Sequence, residues 1–357
     1  MAETARTFQA FLREQKFYFV ILVVILSFAV PFAILFGLDP QSFNSTWKGR
    51  TFYLFFVWLI VLELILVEKP RQDGVRWNSL RTLVLAITIC LPTAYVVAIN
   101  FLGAAAGLAS LADFFALPLA PIQQPSWIYW SWSLSLEYLV FALLFAAIIM
   151  VAYGKAGLKN FSISFLFIGA VGTVYLMDTL YPYGYFTPFQ AFVPFTASLA
   201  AGFLNALGYQ TAFVGQSLGT PVLALYDSSG NLITQYGVGW PCAGVQSLLI
   251  YTCVMLIFFK RSTIPLLHRV IYFTTGALIT YGVNILRIAS IYLTYANNLN
   301  QGREAAHQAA MLFHDYYGGL YSMTWIVAYP LIVIGASLLW TRIKRRKQGF
   351  TFDQDSE

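Results

Sequence analysis

Apolar residues run through this chain in long unbroken stretches, not at alternate positions or on one helical face. Nine such stretches cover residues 17–38, 51–67, 81–102, 127–153, 161–180, 188–207, 243–259, 269–298 and 318–341. Crossing roughly 30 Å of hydrocarbon takes about 20 helical residues, so these runs predict membrane-spanning helices. Their continuity argues against a membrane barrel, whose strands alternate apolar and polar positions. The expected fold is all-α, a polytopic transmembrane helical bundle forming one integral membrane domain over 1–357. The first run is followed by no small-residue cleavage pattern and reads as a retained span.

One segment breaks the pattern. Residues 208–241 are small and polar, with β-type runs Val222 to Tyr226 and Leu232 to Tyr236 on either side of Asp227-Ser228-Ser229-Gly230-Asn231. This predicts a β-hairpin inserted between helices.

Basic residues orient the spans. Arg6, Arg13 and Lys16 precede the first run, and Lys69, Arg71, Arg76 and Arg81 follow the second. Lys155 and Lys159, then Lys260, Arg261 and Arg269, and finally Arg342, Lys344, Arg345, Arg346 and Lys347 continue the series. All are expected in the cytoplasm, including the basic and then polar tail 342–357. Nine crossings cannot leave both termini inside. The run 188–207, with Pro188, Pro194, Gly202, Gln190 and Asn205, is the weakest span and is expected to be re-entrant or interfacial, which leaves about eight spans. Trp127, Tyr129, Trp130, Trp132, Tyr181, Tyr183 and Tyr185 then mark the outer boundary, and the hairpin is extracytoplasmic.

Composition agrees: 59% of the 357 residues are hydrophobic, 10% are charged, and mean hydropathy is +0.69. The net charge of +6 comes from 21 Lys and Arg in short clusters between apolar runs, a distribution that fits membrane orientation and argues against a nucleic-acid partner. Cys90 and Cys253 lie inside apolar runs and read as small, inert core residues, and three widely spaced thiols do not make a disulfide framework. Glu63 reads as reaching the interface near the inner end of its span. Glu137 reads as hydrogen-bonded within the bundle, with a polar substrate path as the alternative.

Chemistry concentrates at one membrane depth. Cys242 sits at the outer end of the run 243–259, in Pro241-Cys242-Ala243-Gly244, where the first turn of a helix would lower its pKa. Arg287 lies about 18 residues beyond the inner Arg269, which at about 1.5 Å per residue is roughly 27 Å up the helix. His314 precedes the last run. A nucleophile, a fixed positive charge for thiolate or oxyanion, and a general acid/base are thus expected on one side. Blander readings stay open: Cys242 as a small residue at a span end, Arg287 as a snorkelling anchor, His314 as an interfacial histidine. His307, seven residues before His314, would share its helical face, so a metal pair is another alternative, lacking a third ligand. No Gly-rich phosphate loop, HExxH or Gly-x-Ser-x-Gly pattern calls for a cofactor or metal.

The run Trp240-Pro241-Cys242-Ala243-Gly244-Val245-Gln246-Ser247, then Asn284-Ile285-Leu286-Arg287, then His314-Asp315 with Gly318, resembles the exosortase/archaeosortase family over roughly residues 160–340. The resemblance implies Cys242, Arg287 and His314 as the catalytic set, with Gly244, Asn284 and Asp315 in support. It departs in having Ala243 where members more often carry Ser. It further implies surface-protein substrates whose C-terminal sorting tails comprise a motif, an apolar helix and a basic cluster. The reaction implied is attack of the thiolate on a peptide carbonyl, release of the tail, and resolution of the acyl-enzyme by an amine, including one on a membrane lipid, or by water. The hairpin 220–238 would offer an edge strand to the motif. A protease without transfer, a non-enzymatic lipid-handling or transport protein, and a subunit of an export complex are the competing classes.

Overall fold

The computed structural model describes residues 2–45, 48–66, 79–114, 125–180, 190–217, 220–260, 264–333 and 335–336. The basic residues Lys69, Arg71, Arg76 and Arg261, the aromatics Tyr181, Tyr183 and Tyr185, and the tail 342–357 lie outside the described residues, as do the side chains of Arg6, Arg13, Lys16, Trp127 and Tyr129. The chain forms two compact units, Met1–Pro188 and Phe189–Glu357. Among the described residues, five helices are long and apolar enough to cross a membrane: Phe19–Leu38, Leu80–Phe101, Trp130–Asn160, Ser162–Leu180 and Leu266–Gln301. Thr51–Ile65 and Val245–Lys260 are shorter apolar helices. The protein is a multi-pass helical membrane protein with a small sheet.

The first unit contains α1 (Ala2–Leu38), α2 (Pro40–Asn44), α3 (Thr51–Leu66), α4 (Ser79–Phe101), α5 (Ala104–Phe114), α6 (Pro125–Asn160) and α7 (Ser162–Leu180). Its core is aromatic. Phe28, Phe56, Phe141 and Phe145 are fully buried, with Phe28 edge-on to Phe56 at 5.4 Å and Phe56 edge-on to Phe145 at 5.0 Å. Such edge contacts add to area burial because ring edges and faces carry opposite partial charge.

Buried charges described in this unit are paired or hydrogen-bonded, as a low-dielectric interior requires. Arg50 Nε and Nη2 donate to Glu137 Oε1 and Oε2 at 2.8 and 3.1 Å, and Tyr53 OH donates to Oε1 at 2.6 Å. Lys48 Nζ meets Asp178 Oδ2 at 2.6 Å. Glu137 therefore has the structural role expected of it. Glu63 departs from expectation. It is buried and accepts the Ile163 and Ser164 backbone N–H groups and the Ser164 hydroxyl at 3.2, 2.9 and 2.7 Å, capping the start of α7 instead of reaching an interface. Cys90 is also no core residue: its side chain is exposed on α4, whereas Cys253 is buried. Helix α5, built from small residues, was not foreseen; Trp132 Nε1 of α6 donates to its Leu108 carbonyl at 2.9 Å.

The second unit contains α8 (Val193–Ala206), strands β1 (Gln210–Ser217), β2 (Thr220–Tyr226) and β3 (Leu232–Gly237), then α9 (Val245–Lys260), α10 (Leu266–Asn298), α11 (Arg303–Leu312) and a final helix α12 over 318–333. Helix α8 has 14 residues, about 21 Å at about 1.5 Å per residue, which is short of the hydrocarbon thickness and in keeping with an incomplete crossing. The expected hairpin is present as β2 and β3, with Leu225 opposite Thr234 and Leu223 opposite Tyr236. Asp227 closes it by accepting the Ser229 and Asn231 N–H groups at 2.9 and 2.8 Å. A third strand, β1, extends the sheet in the order β1-β2-β3. Its polar sequence and a register shift between Phe213 and Gln216, where Gly215 has φ 134°, hid it from the strand pattern.

Contacts along α10 fix the directions of its neighbours. Tyr251 OH of α9 donates to Phe273 O at 2.8 Å, while Gly244, just before α9, faces Asn284. Tyr329 OH of α12 donates to Tyr272 O at 2.6 Å, while Gly318, at its start, faces Arg287. Both helices thus run antiparallel to α10, and their starts meet its C-terminal half.

Candidate active site

Cys242 is not carried by the first turn of α9. It belongs to a short 3-10 turn, Trp240–Ala243, and Gly244 in the left-handed region (φ 87°) separates that turn from the helix. Trp240 is fully buried and anchors the turn, and Pro241, its second residue, enters it with its φ already fixed. The spacing Cys-x-Gly has a local cause. Only glycine adopts the left-handed bend readily, and a Cβ there would also lie 3.1 Å from Asn284 Nδ2.

Asn284 and Arg287 are one turn apart on α10 and so share a face. Asn284 is buried and its Nδ2 donates to the Cys242 carbonyl at 2.7 Å. Arg287 Nη2 donates to the His314 carbonyl at 3.0 Å. Its Nε is buried without a hydrogen-bond partner among the described residues, so the guanidinium retains donor capacity beyond that bond.

His314 lies in a π-helical turn, Phe313–Tyr317, between α11 and α12. The wide turn interrupts the helical register at the residue that carries the imidazole. His314 Nδ1 is 2.7 Å from Asp315 Oδ1, which leaves Nε2 for the sulfur, and His314 and Cys242 line one cavity, close enough for the imidazole to act on the thiol. The three predicted chemical groups and the three supporting residues are therefore brought together at one end of this unit.

Electrostatics follow from that proximity. Burial pushes the Cys242 thiol up, but the hydrogen bond to His314 and the positive charges of His314 and Arg287 outweigh it and bring the thiol below its ordinary value. His314 is raised, first by its hydrogen bond to Cys242; burial opposes this, and the sulfur's charge and Asp315 add to it. Opposite shifts on the two partners favour a thiolate beside an imidazolium, titrating as a pair. The cause is this pairing, not a helix terminus.

His307 does not join the site as a metal partner. Its Nδ1 lies 3.3 Å from Tyr236 OH, and the two rings stack with centroids 6.1 Å apart. Motif reading also missed the surroundings of the sulfur. Cys242 and His314 stand in the wall of a cavity of about 240 Å³, otherwise apolar and aromatic, to which Ile288, Ile291, Tyr292 and Met311 contribute. The signal was available on α10, where Ile288, Ile291 and Tyr292 continue the buried face that carries Asn284.

Residues 46–333 match the family model of the transmembrane exosortases. No curated protein and no solved structure shows a significant match to the chain. The matched segment starts just before α3 and ends with α12, so it reaches well before residue 160, where the motif resemblance begins. The chain belongs to the transmembrane exosortase family.

Proposed function

We propose that this family member is a membrane cysteine transpeptidase that cleaves the C-terminal sorting tail of surface proteins. The carrying observation is that Cys242 and His314 stand in the wall of one cavity, with the Arg287 guanidinium bound to the His314 carbonyl at 3.0 Å. The site faces the extracytoplasmic side of the cell membrane, with both termini cytoplasmic; the distribution of basic residues supports this orientation.

In the reaction, the Cys242 thiolate attacks the carbonyl carbon of the scissile peptide, and the carbonyl electron pair moves onto oxygen. Arg287 opposes the charge that develops there. His314 gives its proton to the departing nitrogen as the C–N bond breaks, and the tail leaves with a free amine, its sorting motif remaining on the enzyme side as a thioester. An incoming amine or water attacks the thioester, His314 takes its proton, and the thiolate is expelled. An amine on a membrane lipid is the favoured acceptor, because a site at the ends of apolar helices meets head groups in preference to bulk water. Strand β3 has no sheet partner on its outer edge among the described residues and would pair with the extended motif.

The test is to co-express the protein with a reporter ending in a motif, an apolar helix and a basic cluster taken from the same genome. Cys242→Ala should leave the reporter at full length. The mass of the wild-type product's new C-terminus distinguishes transfer from hydrolysis, and unchanged processing by the variant would sink the proposal.

A further inference from the structure

We infer that the cavity beside Cys242 is the subsite for the side chain of the residue whose carbonyl is attacked, and that it selects an apolar residue there; this rests on the transpeptidase reading above. At about 240 Å³ the cavity is below the roughly 300–1,000 Å³ of sites that enclose a whole small molecule, yet it holds about eight water volumes at roughly 30 Å³ each. That suits one side chain of a longer substrate. Cys242 and His314 are in its wall, so a carbonyl carbon within reach of Cys242 has its own side chain at the cavity mouth.

The lining decides the chemistry. Ile288, Ile291 and Met311 offer no polar atoms beyond a thioether, and methionine adapts its shape to the guest. The two tyrosine hydroxyls are engaged elsewhere. Tyr292 OH lies within hydrogen-bond reach of the Leu223 and Tyr236 carbonyls at 3.1 and 3.3 Å, and Tyr236 OH faces His307. An acidic side chain would enter beside a thiolate, among lining side chains whose hydroxyls are already engaged, and a basic one would find the thiolate already paired with His314. Either pays desolvation without compensation, whereas an apolar side chain does not.

The experiment uses the purified full-length protein in detergent and four thiol reagents: iodoacetamide, and chloromethyl ketones built on N-acetyl-leucine, N-acetyl-aspartate and N-acetyl-phenylalanine. In each ketone the thiolate displaces chloride, and the amino-acid side chain sits where the acyl residue of a substrate would. Labelling of Cys242 is followed by peptide mass, which separates it from Cys90 and Cys253. The leucine reagent should label Cys242 about tenfold faster than the aspartate reagent, or more. Met311→Trp, which fills the cavity, should reduce the leucine rate to the aspartate rate. Met311→Ala, which enlarges it, should favour the phenylalanine ketone over the leucine one. Equal rates for the leucine and aspartate ketones at a Cys242 that reacts readily with iodoacetamide would overturn the subsite and leave the nucleophile intact. A Cys242 inert to iodoacetamide would overturn the nucleophile, and the subsite with it.

Discussion

A methyl group on Gly318 would lie 2.6 Å from Nε of Arg287 and 3.0 Å from its Cγ. The guanidinium therefore packs directly on the backbone at the start of α12, and the same side chain holds the His314 carbonyl. Gly318 itself has ordinary helical angles, φ −62° and ψ −32°, so its backbone does not require glycine. Gly318→Ala should displace Arg287 while gaining up to about 1 kcal/mol of helix propensity. Tail cleavage is expected to fall about 10- to 100-fold, the scale of losing an oxyanion contact, with a much smaller change in thermal midpoint. A matched loss of stability would instead assign Gly318 to packing alone.

Asn284 positions the nucleophile through its backbone. Replacing it with Ala leaves the Cys242 carbonyl without its 2.7 Å donor, at a cost of about 1–3 kcal/mol if the group stays buried. Asn284→Asp keeps the shape but turns an acceptor toward an acceptor, and adds a negative charge near the sulfur. Iodoacetamide labelling across pH should therefore show a higher thiol pKa in Asn284→Asp than in Asn284→Ala. Identical profiles would mean that Asn284 does not sense the nucleophile.

The Cys242–His314 pair sets a direction for pH dependence. A thiol held below its ordinary pKa is deprotonated at lower pH, so alkylation of the wild-type protein should level off at a lower pH than for a free cysteine. His314→Ala removes the hydrogen bond and the imidazolium charge and leaves burial, which acts upward. The inflection should move up, with Arg287 moderating the shift. A downward or absent shift in His314→Ala would show that the imidazole does not stabilise the thiolate. Cleavage in the wild type should be bell-shaped in pH, because it needs the sulfur ionised and the raised imidazole still protonated.

What could be read in advance depended on the range of the interaction. Continuous apolar runs locate the helices, and the basic residues between them set an expected direction for each, which was enough to expect Cys242, Arg287 and His314 at one level. The Asn284 and Arg287 spacing is likewise a property of a single helix. The π turn at His314 was not legible, because nothing in Phe313–Tyr317 distinguishes it from an ordinary helical turn. Cys242 was expected at the first turn of a helix, yet Gly244 two residues later is the local sign of a left-handed break. Glu63 was misread for a different reason: its partners, Ile163 and Ser164, are about 100 residues away, and no periodicity in α3 announces which helix start will arrive there. Buried polar pairing is a tertiary event that hydropathy records only as an unexplained charge.

The same reasoning makes the Arg50 and Glu137 pair a test of the first unit. Their side chains are 11% and 3% exposed, and beyond Glu137 Arg50 has a neutral acceptor, Ser42 Oγ at 3.2 Å, and a second carboxylate, Asp39 Oδ2, only at 3.5 Å. Glu137→Ala strands the guanidinium and removes the acceptor of Tyr53 OH, so it should destabilise the protein by about 3–5 kcal/mol, the usual result of breaking a buried pair. Removing both charges, as Arg50→Met with Glu137→Met, deletes the desolvation penalty together with the attraction, and the double variant should recover most of that loss. Thermal unfolding in detergent, with Cys242 labelling and tail processing as further readouts, separates the cases. Recovery of stability and labelling together makes the pair a fold determinant; a stable double variant that no longer processes the tail gives this cluster a part in function.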